Sequence, residues 1–581
     1  MRNRGMSPAI AVVLAVLALG FVIAGPSSAQ TYKDVRAGRI ESLPIGMTPE
    51  EEALGDLRVR TITPPPEAQP VRSLAEFERQ KGCLIRYPLG ISVSLVRELA
   101  EEDIVYCVVT SGQQQSAYNA FSSGGVNMSH VIFFNHATDS WWTRDYGPWF
   151  CYDADGEMDL IDTIYNRPSR PNDDAVPRDF GPFLGIDVYG PDLITAGGNY
   201  MDTGRGIAAS TTLVWDENPT KTHQQIAQMA HDYMGIDAYH VVPDVNNDYI
   251  HHIDCWGKFL APDKILIRSV PPSHSQYDEA EAAATYWSQQ TSSYGWPFHV
   301  YRVYTPNNQP YTNSLIFNKK VLVPITGSSW DDEAILAYQE AMPGYEVLGF
   351  TGSWESTDAL HCRTMGIGDP ELLYLWSVPL QDITQAEDAY PVQAQIIDYS
   401  ETGLIADQLR VYWRAGTSGP FSHLALTPSG TDLYAATIPA QPMGTTVQYY
   451  IHAADNSGRV EEYPIVGSAG PFSFQVLVDS QDLADGAPAA PGLRAESWPN
   501  PMRSAATLRF TLDRAAELRA GIYDAQGRLV CRLVDGRFAP GSHALPWDGR
   551  AAGGQRVAPG VYFYRLDADG QQATCPLVVT R

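Results

Sequence analysis

Basic charge is scarce in this chain. Its 581 residues carry 40 Lys and Arg against 67 Asp and Glu, a formal net charge of −27. A protein that coats nucleic acid needs a basic face, so that class is excluded, and the acidic excess favours cationic ligands. Cysteine is scarce too. The seven are Cys83, Cys107, Cys151, Cys255, Cys362, Cys531 and Cys575, an odd number without a C-x-x-C pair. That excludes a disulfide scaffold and argues against a zinc ribbon. No segment has the D-x-D-x-D-G layout of an EF-hand, and no G-x-G-x-x-G follows a first strand. Beyond Ala24 no run of eighteen apolar residues occurs, so the mature protein is expected to be soluble.

What is present begins at the amino terminus. Arg2 and Arg4 precede an apolar run from Ala9 to Ala24, and Ser27-Ser28-Ala29 offers a small-residue cleavage site. This is the layout of a secretory signal peptide over residues 1–29, so secretion is expected. Residues 30–65 read as a leader ending in the stiff Thr63-Pro64-Pro65-Pro66. From 66 to 384 the pattern alternates. Val131 to Phe134, Thr211 to Val214 and Lys264 to Ile267 read as buried strands. Thr222 to Met234 and Asp331 to Met342 have helical spacing, with Asp331 as the expected N-cap. Strand, strand, helix, strand recurs every 50–70 residues or so, which predicts a radially repeated α/β domain. Residues 385–477 and 497–581 read as two all-β sandwiches joined by a 478–496 linker. The last unit has 11 Arg and 7 acidic residues, so the acidity lies elsewhere.

Four clusters in the α/β region carry candidate chemistry. Trp141 to Pro148 sets Asp145 among aromatics before a Gly-Pro turn. Gly197-Gly198-Asn199 lets backbone approach a site closely. In His251-His252-Ile253-Asp254, a strand would point His252 and Asp254 to one face. Neighbouring strand residues face opposite ways, which disfavours metal ligation, and no metal or cofactor is expected. Thr357 to Arg363 places the Cys362 thiol beside His361 and Arg363, a candidate nucleophile.

Taken in order, with Asn313 in Tyr311-Thr312-Asn313-Ser314, these segments resemble the guanidine-modifying (pentein) superfamily. Within it the resemblance is to agmatine deiminases and, more closely, to bacterial peptidylarginine deiminases, over roughly residues 70–380. It implies a five-bladed α/β propeller with a central site and no metal requirement. It also implies roles. Asp145 and Asp254 would hold the edges of a planar guanidinium. Cys362 would attack its central carbon, and His252 would move the protons. Asn313 would hold substrate or the catalytic side chains, and Trp142, Tyr249 and Thr357 would line the substrate pocket. Tyr165 to Asp173 resembles a family segment whose two arginines clamp the α-carboxylate of a terminal arginine. Arg167 and Arg170 match them, but Pro168 and Ser169 intervene where the family has one proline.

The expected activity is conversion of peptidyl-arginine, with the arginine carboxyl-terminal, to citrulline through a thiouronium intermediate. Agmatine or free arginine as substrate is the first alternative, and a non-catalytic adhesin on the same scaffold is the second. Two carboxylates beside a thiol oppose thiolate formation, so the thiolate is expected to form, or become competent, mainly with the cation bound. The 385–477 module looks immunoglobulin-like. The last unit resembles the sorting domains of bacterial secreted proteins, which implies a secretion machinery as partner and possible attachment at the outer membrane. Cys531 and Cys575 could bridge its strands, but the sequence does not fix their pairing.

Overall fold

The computed structural model describes residues 53–59, 61–383, 389–476, 494–498, 502, 505–512, 514–524 and 528–579. The signal-peptide segment, most of the leader and the 478–496 linker, and Pro499-Asn500-Pro501 of the last unit lie outside the described residues. Among the described residues, no helix is long and apolar enough to cross a membrane.

Residues 72–367 build five separate sheets of three or four strands. Four read directly along the chain. Trp149–Tyr152 and Met158–Ile161 open the first, Met201–Asp202 and Ile207–Thr211 the second, Gly257–Ala261 and Lys264–Ser269 the third, and Leu315–Phe317 and Lys320–Ile325 the fourth. In each the opening pair is antiparallel, a helix follows, and a third strand returns parallel to the second. The helices are Pro171–Leu184, His223–Met234, Tyr277–Ser288 and Asp331–Ala341. Parallel pairing requires such a crossover, and burial of both sheet faces explains near-continuous apolar strands such as Lys264–Ser269. The fifth sheet joins the two ends of the region. Met365–Ile367 pairs antiparallel with Gly82–Arg86, which leads through helix Val93–Leu99 to the parallel Ile104–Val109.

Local signals explain the helix limits. Thr222 and Gln225 form a reciprocal capping box, and Gly235 ends that helix at φ 67°. Asp331 is not the N-cap. Trp330 holds that place, and the Asp331 carboxylate instead accepts the Gly327 N–H at 2.7 Å and the Tyr311 hydroxyl at 2.7 Å. Two strand readings also change. The strand expected over Thr211 to Val214 ends at Thr211, and Leu213–Asp216 is one helical turn. Val131–Asn135 is a strand, but it lies at the sheet edge and leaves Ile132 36% exposed.

The first sandwich begins earlier than residue 385. Leu373–Trp376 pairs with Ala389–Asp398. Leu373 and Leu375 enter the sandwich core beside Val392, Ile396, Val411 and Ile451, while Leu372 and Tyr374 pack on the α/β side. Alternation along one strand therefore serves both modules. The last unit packs a three-stranded sheet on a four-stranded one around Leu508, Ile522, Tyr564 and Leu577. Its Arg550 docks onto the α/β module, ion-paired with Glu333 and stacked 3.8 Å from the Tyr304 ring centroid. All seven cysteines are among the described residues and no disulfide joins them. Cys531 and Cys575, whose pairing the sequence leaves open, are not bridged: the Cys575 thiol faces Ser497 Oγ at 3.4 Å, and Cys531 lies against Arg532 O.

Candidate active site

Each of the five sheets is entered through a tight turn, and these turns bear the candidate residues. Thr143–Tyr146, one buried helical turn, precedes Trp149–Tyr152. Gly197–Asn199 precedes Met201–Asp202, and Ile253–Cys255 precedes Gly257–Ala261. A turn closed by the Asn313 N–H to Pro310 O, 2.9 Å, precedes Leu315–Phe317. His361–Arg363 precedes Met365–Ile367. One structural position, repeated five times, delivers Asp145, Gly198, Asp254, Asn313 and Cys362.

These turns meet. Asn313 Nδ2 donates to Asp254 Oδ2 at 3.0 Å and lies 3.2 Å from Cys362 Sγ. Its Oδ1 accepts the N–H groups of His361 at 3.0 Å and Cys362 at 3.3 Å. The Cys362 sulfur stands 3.8 Å from Asp254 Oδ2. His252 Nδ1 is 3.5 Å from Asp145 Oδ1. Gly198 lies between the partners: a Cβ there would stand 2.6 Å from His252 Nδ1, 2.8 Å from Asp145 Oδ1 and 3.2 Å from Asp254 Oδ2. The strand expected for His251 to Asp254 does not form. His251 adopts φ 54°, and Ile253–Cys255 is a single 3-10 turn. His252 and Asp254 nonetheless reach one pocket, because the turn carries them there.

Four polar atoms in this pocket, Trp142 Nε1, Asp145 Oδ1 and both His252 ring nitrogens, are buried and make no hydrogen bond among the described residues. Buried polar groups without a partner call for a water, an ion or a functional role, and these four lie among the candidate residues.

A model of the family described as "Porphyromonas-type peptidyl-arginine deiminase" matches residues 72–367, half of the chain. The chain belongs to this family. It is thereby a deiminase of the guanidine-modifying pentein superfamily, a hydrolase acting on guanidino groups. Relatives assigned as agmatine deiminases include one from Streptococcus mutans, 24% identical over 50% of this chain and 93% of that protein. Another, from Mycoplasma mycoides, is 22% identical over 47% of this chain and 88% of that protein. Among solved structures, the agmatine deiminase of Enterococcus faecalis aligns over 53% of this chain and 98% of its own at 19% identity, with a TM-score of 0.46. A FlgD Ig-like domain model matches residues 502–572, in the last sandwich.

Burial and charge set the protonation of the deiminase site. Burial pushes Asp145 up to about 8, and nearby Asp254 adds to it. Burial also works against ionised Asp254, but the hydrogen bond and charge of His361 outweigh it and hold this carboxyl below its ordinary value. Burial takes His252 down to about 3, so its ring is neutral. The Cys362 thiol is pushed well up by burial first, then by Asp254, Asp145 and Asp358.

The residues expected on the substrate side are more spread. Trp142 packs in one cluster with Cys362, Cys255, Ile250 and Tyr249. The Tyr249 hydroxyl and Thr357 Oγ1 are 3.4 Å apart, and Thr357 O lies 4.0 Å from the Cys362 sulfur. Arg170 is buried with its guanidinium 4.9 Å from the Trp142 ring centroid. Arg167 is half-buried, and its charge reaches both Asp145 and His252. The structure thus stacks the second arginine on Trp142 and places the charge of the first within reach of Asp145 and His252.

Sequence reasoning missed two supports of this site. Asp358 pairs with Arg363 at 2.7 and 2.8 Å, and Arg363 also donates to Gly90 O at 2.6 Å, bracing the Cys362 turn. Glu76 pairs with Arg144 at 2.9 Å and with Lys258 at 2.8 Å.

Proposed function

We propose that this protein is a secreted, cysteine-dependent peptidylarginine deiminase that converts a carboxyl-terminal arginine of a peptide to citrulline and releases ammonia. The observation that carries the chemistry is the set of orphaned polar atoms around Gly198, with two carboxylates and the Cys362 sulfur at one pocket. A planar cation with N–H groups on its edges suits the carboxylates of Asp145 and Asp254 and the one His252 nitrogen that can accept, whereas Trp142 Nε1–H remains a donor. On this reading the five sheets are the blades of a propeller, and their entry turns face its axis.

The steps follow from the geometry. The guanidinium lies between Asp145 and Asp254, and its charge offsets the carboxylates that disfavour the thiolate. The Cys362 proton passes to neutral His252. The thiolate attacks the central guanidinium carbon and forms a C–S bond. His252 returns that proton to the departing nitrogen, the C–N bond breaks, and ammonia leaves a thiouronium. Water, deprotonated by His252, attacks the same carbon, the C–S bond breaks, and the ureido product and thiol are restored. Asn313 holds the sulfur and Asp254 in register through its amide.

Support for a terminal peptidyl arginine comes from Arg167 beside the guanidinium site and from the signal-peptide reading, which favours an extracellular substrate. Agmatine is the second reading, favoured by the names of the relatives above. The test is to incubate the protein with a peptide ending in Arg, a peptide with internal Arg, free arginine and agmatine, and to measure ureido product and ammonia. Turnover of the terminal-Arg peptide, abolished by Cys362→Ala, is the expected result. Preference for agmatine would replace the peptidyl reading, and silence on every guanidine would end both.

A further inference from the structure

The five catalytic turns come from five stretches of chain, yet the neighbours of four of them converge on one side chain outside the pocket. Glu76 Oε2 forms an ion pair with the Arg144 guanidinium at 2.9 Å, and Arg144 is adjacent to Asp145. Glu76 Oε1 accepts from Lys258 at 2.8 Å, at the start of the strand that follows Asp254. Oε1 also accepts the Ile316 N–H at 2.9 Å, three residues past Asn313. Oε2 meets His361 Nε2 at 2.5 Å, and His361 precedes Cys362. The same His361 ring presents Nδ1 to Asp254 Oδ2 at 2.7 Å.

We propose that Glu76 is a positioning residue for deimination, acting through His361 to keep Asp254 ionised and in register with Cys362. His361 has a carboxylate oxygen at each ring nitrogen. The ring is thereby held between Glu76 and Asp254, and its orientation against Asp254 is fixed from the far side by Glu76. Burial opposes charge on Glu76, but His361, Lys258 and Arg144 outweigh it and hold this carboxyl well below its ordinary value. The groups facing Asp254 are His361, Asn313, Cys362, the Cys255 thiol at 3.6 Å, and the charges of Asp145, His252 and Lys258. Glu76 faces Arg144, Lys258 and His361, with the Tyr338 hydroxyl and Cys83 thiol within its field. Among the described residues only His361 is hydrogen-bonded to both carboxylates, so it is the direct route by which one sets the other.

This inference rests on the deiminase reading, and its test separates the two. The full chain and its Glu76→Gln, Glu76→Asp and Lys258→Met variants are assayed across pH on the guanidine that wild type turns over best. Glu76→Gln is expected to lower kcat about a hundredfold, as a misplaced reacting group does. It should also move upward the lower acid limb of kcat/KM, the one set by Asp254 beneath that of Asp145 at about 8, because His361 is no longer held against Asp254 by a second carboxylate. Glu76→Asp keeps the charge and should retain the wild-type limb while recovering part of the rate. Lys258→Met removes one charge, fills the lysine stem's volume and leaves Glu76 its other partners, so it keeps the test open should Glu76→Gln fail to fold. It should move the limb in the same direction by less. A wild-type limb in Lys258→Met and in any folded Glu76→Gln, with only thermal stability lowered, would reduce Glu76 to a structural part and overturn the proposal. An inactive wild type would instead overturn the deiminase reading.

Discussion

Gly198 and His252 are packed so closely that a methyl group on Gly198 would stand 2.6 Å from the ring Nδ1, and 2.8 Å from Asp145 Oδ1 as well. The absent side chain is the space into which those groups point. Gly198→Ala should therefore cut kcat/KM by about a hundredfold or more, the scale of a misplaced reacting group. Steady-state assays beside a circular dichroism spectrum check this, and a folded variant with wild-type kinetics would refute it.

Cation binding should expel a proton. Burial and Asp254 hold Asp145 at about 8 in the unliganded site, against 3.8 ordinarily. A bound guanidinium favours the ionised carboxylate, so affinity should rise with pH up to about 8 and level above it. Calorimetric titration with a non-reacting guanidine, in buffers of different ionisation enthalpy, should show proton release at pH 6 and little at pH 9.

The same carboxyl shapes stability. Its folded value is raised, so its contribution is complete below the unfolded value and is lost as pH rises through about 8. The ligand-free melting temperature should carry a downward component across that window, and saturating guanidine ligand should reduce it. Thermal melts of wild type and Asp145→Asn against pH isolate the component, which the variant should lack.

Cys362 should become reactive only in company. Burial, then Asp254, Asp145 and Asp358, keep its thiol protonated. Iodoacetamide at neutral pH should alkylate it slowly in the free protein and faster with guanidinium ion present, read by mass spectrometry of the Cys362 peptide. Equal rates would show that the cation does not govern the thiolate.

Asp358 and Arg363 form a pair with side-chain exposures of 0% and 2%. Removing one partner of such a pair leaves a buried charge, so Asp358→Ala should cost about 3–5 kcal/mol. Urea unfolding measures it.

Much of the site was legible because its parts are short local signals. The Asp145 turn, the glycine pair, His252 with Asp254, and Cys362 beside His361 each stand within a few consecutive residues, and their order along the chain suggested a shared pocket. The recurring strand, strand, helix, strand pattern suggested a repeated α/β unit, because hydrophobic periodicity is written residue by residue. Where two outcomes had similar local patterns the reading slipped: the apolar run at Thr211 to Val214 splits into a strand end and a helical turn, and His251 to Asp254 turns rather than extends.

By itself, then, the sequence determined the alternating modules, the candidate residues and the acidic character that suits a cationic substrate. Only the tertiary structure decided that the entry turns of five sheets meet, that Leu373 already belongs to the next module, and that Glu76 reaches His361 across 285 positions. The physical reason is that a buried charge takes its partner from whatever the packed chain brings within about 3 Å, and that distance exists only after the sheets have closed on one another.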